Sequence, residues 1–148
     1  MPEFYKMVLA DEERRISREI EMQEIASKYG FCPKIINSRI TFNKTDGKYI
    51  GNITMENLEE MSIADKYGED SKNIPKLIWD QIRTILRILY IEEGIEYIDI
   101  TGYNFIEKKG KVYIIDFGDA VYSKKDTDIN WFLKYFLDGH NDWNPDFR

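Results

Sequence analysis

The stretch EYIDITGYNFIEKKGKVYIIDFGDA, residues 96–120, places Asp99 five positions before Asn104 and ends an apolar run on a second acid, Asp116, followed by Phe117 and Gly118. Within it, YNFIEKKGKVYIID reads as two short strands around Lys108-Lys109-Gly110-Lys111, because branched and aromatic residues flank a glycine turn. An Asp with an Asn five residues later is, alone, an ordinary turn whose side chains bond nearby backbone. Asp116 is the sharper signal, since a carboxylate closing a buried apolar strand is costly unless a cation meets it. Two readings stand at this point: a hairpin with capped turns, or a site that holds a metal and a phosphate.

Composition narrows the classes. The 148 residues are 43% hydrophobic and 14% aromatic, enough to bury a core in one compact domain or two very small lobes. A net charge of −6, from 21 basic and 27 acidic residues, argues against a general binder of nucleic-acid backbone, although a local basic patch stays open. Cys32 is the single cysteine and His140 the single histidine, so neither an internal disulfide nor a Cys/His zinc cluster is expected. This fits a reducing, intracellular compartment. No apolar run approaches the roughly 20 residues of a membrane span, and acids interrupt the first residues where a signal peptide would be apolar. The expectation is a complete cytoplasmic chain.

The order of elements follows from periodicity. EFYKMVL (3–9) alternates as a strand, and Ile16, Ile20, Met22, Ile25, Ala26 and Tyr29 recur at helical spacing until Gly30 and Pro33 stop them. SRITFN and YIGNITM flank an Asp46-Gly47 hairpin signal. After a polar connector, Ile78, Ile82, Ile85, Leu86 and Leu89 mark the longest helix, with Asn73 as its expected cap and Gly94 as its stop. DTDINWFLKYFLDG, closing at Gly139, reads as a final helix. The order is β-α-β-β, then α-β-β-α.

With the 96–120 stretch in its middle, this order resembles the protein kinase fold. In kinases an Asp and an Asn five residues later are followed, one hairpin on, by Asp-Phe-Gly. The stretch REIEMQEIASKYGFCPKII, a Glu-bearing helix ending in Gly and then Pro, also resembles the helix of small atypical kinases, the RIO kinases and the kinase subunit of the KEOPS complex. It implies an α+β, minimal kinase-like fold in one domain, with a reduced β-sheet lobe over 1–56 and a reduced helical lobe over 57–148. It implies ATP and Mg²⁺ as cofactors, Asp99 as catalytic base, and Asn104 and Asp116 as metal ligands. Lys6 would contact the α- and β-phosphates, anchored by Glu19 or alternatively Glu21. ITMENLEE looks like the last strand and hinge of the small lobe, which makes Met55 the gatekeeper and gives backbone at Glu56 and Leu58 to adenine.

The departures shape the function. Tyr97 and Ile98 replace the His and Arg that precede the catalytic Asp, Thr101 stands where a Lys is usual, and no Gly-rich loop precedes Lys6. Too few residues separate Asp116 from Asp128 for an ordinary activation segment, and Asp128 matches either the acid that braces the catalytic loop or a helix cap. Three readings follow from the resemblance. The first is an ATP- and Mg²⁺-dependent phosphotransferase of serine/threonine type, or an ATPase. The alternative is a pseudokinase that engages another kinase or a complex subunit without catalysis. The third is a small-molecule kinase of the aminoglycoside or choline type, which Phe117-Gly118 disfavours. The strand at 3–9 is expected to present an open edge for a second copy or a strand-donating partner. The compact, Ile-, Lys- and Asn-rich chain would suit a viral or phage gene acting in host cytoplasm.

Overall fold

A computed structural model describes residues 2–147, which divide between Glu59 and Glu60 into two compact units. In the first unit, β1 (Glu3–Ala10) leads into α1 (Glu13–Lys28), and β2 (Ile35–Asn43) and β3 (Lys48–Glu56) follow as a hairpin. The sheet order is β1-β3-β2, antiparallel throughout, so β3 is central and β1 and β2 are its edges. Alternation along β1 sends Val8 and Ala10 toward a core with Ile16, Ile20, Ile53 and Met55, and leaves Tyr5, Met7 and Leu9 exposed. The helix lies close on the sheet because β3 carries glycine where it crosses Ile16. A Cβ at Gly51 would meet Ile16 Cγ2 at 2.5 Å.

The ends of α1 behave as its sequence suggests. Gly30 takes a φ of 78°, and the N–H groups of Gly30 and Phe31 turn back to Ser27 O and Ala26 O, closing the last turn. Asp46-Gly47 does form a hairpin, though through a four-residue loop in place of a tight turn: Gly47 N–H reaches back to Asn43 O, and Asn43 Oδ1 accepts from Thr45 N–H.

The second unit is built on α3 (Lys76–Glu93), the longest helix, which ends at Gly94 in the left-handed region as expected. Asn73 is not its cap. Pro75 occupies that position, its missing N–H no loss at an end whose N–H groups already lack intrahelical acceptors, while Asn73 closes a 3-10 turn held by Asp70. The polar connector contains a short helix, α2 (Ile63–Tyr67), capped by Ser62. Beyond α3 come β4 (Ile95–Glu96), β5 (Phe105–Lys108), β6 (Lys111–Ile114), β7 (Val121–Tyr122) and α4 (Trp131–Leu137). β5 pairs with β6, and β4 with β7. The final helix starts later than its sequence pattern suggests, because Asn130 accepts from the N–H groups of Phe132 and Leu133 and so takes the cap that Asp128 was expected to supply. Asp128 itself is exposed.

Aromatic packing ties α3 to the chain after it: Trp79 meets Phe136 at 5.9 Å and Trp143 at 4.4 Å between ring centres. Arg83 and Arg87 of α3 donate to Phe136 O and Leu137 O, placing positive charge on the open carbonyls at the C-terminal end of α4. Among the described residues no helix is long and apolar enough to cross a membrane.

Candidate functional site

In the first unit the sequence-derived pair forms. Lys6 Nζ donates to Glu19 Oε2 at 2.7 Å, with the Glu19 side chain buried and Lys6 about one-fifth exposed. Glu21, the alternative partner, instead lines a surface groove with Ser17, Glu24, Lys28 and Arg39. Met55 is buried on β3, and Gln23 Nε2 donates to its sulfur at 3.4 Å and to Pro33 O at 3.0 Å. Glu56 N–H donates to Lys34 O, and Lys34 N–H to the Glu56 carboxylate, so the start of the connecting segment is pinned to β2. At the next residues Asn57 Oδ1 accepts from Glu59 N–H, and Leu58 is buried.

In the second unit the 96–120 stretch folds into a tightly held group. β5 and β6 are joined by Lys109 and Gly110, both at positive φ (52° and 79°), the two-residue turn that matches the twist of paired strands. Ile115 N–H then bonds Asn104 O at 3.0 Å, which brings the residues flanking the hairpin together. Asp99 lies in a run of two successive tight turns: Ile100 N–H donates to Ile98 O, and Thr101 N–H to Asp99 O. Asn104 Nδ2 donates to the same Asp99 O at 2.9 Å. Its nitrogen thus committed, the amide turns its oxygen, the atom a metal would use, away from that carbonyl. Asp116 Oδ1 accepts from Gly118 N–H at 2.8 Å, so the glycine of Asp-Phe-Gly orients the carboxylate. Phe117 is buried edge-on against Tyr97.

Electrostatics single out Asp99. Half-burial raises its carboxyl to about 6; Asn104 pulls the other way, and the neighbouring carboxylates of Asp119 and Asp116 add to the rise. The acids crowd together at one point of the chain. Asp119 is a member of this group that the sequence reading missed; its place immediately after Asp-Phe-Gly is the signal that could have found it. Tyr97, read only as a departure, donates its hydroxyl to Asp116 O at 2.6 Å and so bonds the start of the Asp99 loop to the end of β6. Glu96 is buried and accepts from Asn130 N–H and Ser123 Oγ, fixing β4 to the segment before α4.

A helix-backed antiparallel sheet, together with a unit that presents Asp, Asn and Asp-Phe-Gly on a hairpin, defines a small kinase-like protein. The RIO domain family model matches residues 13–135, and the chain belongs to that family, whose members are atypical kinases and ATPases that bind ATP. No curated protein matches the chain.

Proposed function

We propose that the chain is a minimal ATP- and Mg²⁺-dependent phosphotransferase of serine/threonine type, or an ATPase. The observation that carries this reading is the gathering of Asp99, Asn104 and Asp116 by one hairpin, with the Asp99 carboxyl raised to about 6. The ligand chemistry fits Mg²⁺, which prefers hard oxygen donors: a carboxylate from Asp116 and an amide oxygen from Asn104. Bound there, Mg²⁺ would neutralise charge on the phosphates of ATP.

The residues of the chain take the following parts. Asp99 accepts the proton of the attacking hydroxyl, a role suited to a carboxyl raised toward neutrality. Asn104 and Asp116 hold the cation. Lys6 contacts the α- and β-phosphates, and Glu19 anchors its ammonium. Met55, Glu56 and Leu58 receive adenine; because Glu56 N–H is already bonded to Lys34 O, its contact falls to its carbonyl. Thr101, where a Lys would stabilise γ-phosphate charge, implies slow turnover.

Calorimetry with a non-hydrolysable ATP analogue, with and without Mg²⁺, tests this reading. It requires metal-dependent binding that is lost in Asp116→Ala. Metal-independent binding, or unchanged binding by Asp116→Ala, would refute it.

One observation favours a second reading, a non-catalytic binding module. Along edge strand β1, Tyr5, Met7 and Leu9 are exposed. Such an edge can accept a strand from a second copy or another protein, with Glu3 and Lys6 as the charges that limit it. Absence of turnover together with a monomer-to-dimer shift in light scattering would favour this module.

A further inference from the structure

The second unit holds the Asp99 loop from behind as well as from the side of Asn104. Asn144, which lies beyond the family match at 13–135, is buried and is hydrogen-bonded through its side chain and its backbone. Its Nδ2 donates to Ile98 O at 2.7 Å, its backbone N–H donates to Ile100 O at 2.8 Å, and its Oδ1 accepts from Asp146 N–H at 3.0 Å. The polarity of these backbone partners fixes which end of the amide faces which. The carbonyls it grips belong to the residues on either side of Asp99.

The two turns around Asp99 need such support. A three-residue turn gives its carbonyl one bent bond, and the second lone pair of a buried carbonyl must find a donor or cost free energy. At Asp99 O that donor is Asn104 Nδ2; at Ile98 O it is Asn144 Nδ2. Two asparagines therefore complete two successive turns, one from within the loop and one from the chain 46 positions away. Trp143 keeps the second in place. Its indole packs on Trp79, and a Cβ at Gly102 would lie 2.9 Å from Ala64 Cβ and 3.2 Å from the Trp143 ring, so glycine in the loop leaves room for both neighbours. Asp128, the acid expected from the resemblance to brace the loop, is exposed, and the carbonyls are bonded without it.

The geometry points to Asn144 as a positioning residue for Asp99: it does not touch the reacting groups, but sets the loop that aims the base. This rests on the reading of Asp99 as the base. It follows that residues 139–147 are part of the catalytic unit, although the family match stops before them.

The test compares Asn144→Asp with the parent chain. This change keeps the shape and the acceptor for Asp146 N–H, but sets an acceptor against Ile98 O. Turnover is expected to fall roughly 10- to 100-fold, as small misplacements of catalytic groups do, with the affinity for Mg²⁺-ATP within about twofold of the parent. Asn144→Ala, which retains the backbone bond to Ile100 O, should show the same split and serves if the Asp variant does not fold. Phe136→Leu, a core change in α4 that also lowers the thermal midpoint, should leave turnover near the parent value at temperatures where it is folded. Unchanged turnover in both Asn144 variants would overturn the assignment, as would a joint loss of turnover and affinity that Phe136→Leu reproduces.

If the parent chain does not turn over, the proposed activity fails separately, and amide hydrogen exchange at Ile100 and Thr101 decides the positioning claim. Exchange faster by roughly tenfold in the Asn144 variants, and not in Phe136→Leu, supports it. Equal exchange in all three overturns it.

Discussion

The two units hold their charged groups by different means. In the first, the Lys6 ammonium is paired with Glu19 of the following helix, from an edge strand whose outward side chains are exposed. In the second, Asp99 sits in a loop whose carbonyls are bonded by backbone and by two asparagine amides, and Asp116 is oriented by a glycine N–H. On the proposed reading, a long, flexible cation can find a phosphate from a range of positions, whereas a base and a metal ligand must be aimed. The precision of support follows the precision of the chemistry.

The sharpest way to break this comparison is to remove aim and charge separately. Asp99→Asn is expected to abolish turnover while Mg²⁺-ATP still binds, since the base acts on the nucleophile. Asp116→Ala is expected to lower Mg²⁺-dependent affinity by roughly 10- to 100-fold or more, the scale seen when support for a metal is lost. Turnover assays and calorimetry on the two variants separate the effects. If Asp99→Asn turned over at the parent rate, the loop would be structural support without a base to aim.

Stability sharpens the contrast. Gly51→Ala sets a methyl against Ile16 and should destabilise the first unit by roughly 1–3 kcal/mol in urea unfolding, as overpacking does. Lys6→Met leaves the buried Glu19 carboxylate without its ammonium and should cost about 1–3 kcal/mol, less than a fully buried pair because Lys6 is partly exposed. In the second unit Asp99→Asn should have the opposite sign. A carboxyl raised in the folded state favours folding most below its unfolded value, and that contribution is lost as pH rises through about 6. Without metal, Asp99→Asn should therefore stabilise the chain above pH 6 by about 1 kcal/mol, a figure already reduced for solvent screening of a half-buried group, and the gain should vanish in acid. Thermal midpoints across pH measure it.

The smallest expected effects mark where neither unit depends on charge. Lys134→Ala, which removes the exposed pair with Asp138, should move stability by less than about 0.5 kcal/mol. Cys32 is buried, its thiol donates to Gln23 O, and burial raises it above the ordinary thiol range. Alkylation by iodoacetamide at pH 8 should therefore be roughly tenfold or more slower than for an exposed cysteine, until urea unfolds the chain.

Much of this is legible in the residues because the signals are local. Lys109-Gly110 can hold the two positive φ angles of a tight hairpin, and Gly94 can stop a helix in the left-handed region; the apolar spacing of α1 and α3 records their buried faces. The Lys6 to Glu19 pair follows from a strand leading straight into a helix, though only the face of α1 decides between Glu19 and Glu21. What local pattern does not carry is return across the chain. Asn144 stands in a polar tail that reads as loop, and its bond to Ile98 exists only once Trp143 has packed on α3. Asp119 looks like any exposed acid until the turns at Ile98 and Asp99 bring a second carboxyl to it. Asn73 looks like a better cap than Pro75, and loses because the chain uses it to close the preceding turn.

The β5–β6 hairpin acts as a ruler. Phe105 faces Ile114 and Lys108 faces Lys111, so every residue on the way out is matched by one on the way back. Lengthening one strand alone would slip the register and turn each following side chain to the opposite face. Insertions that preserve the bond between Ile115 N–H and Asn104 O must therefore come in balanced pairs, one on each strand. Relatives of this chain should differ in the length of this segment by even numbers, and an odd difference would mark a bulge or the loss of the metal ligands proposed here.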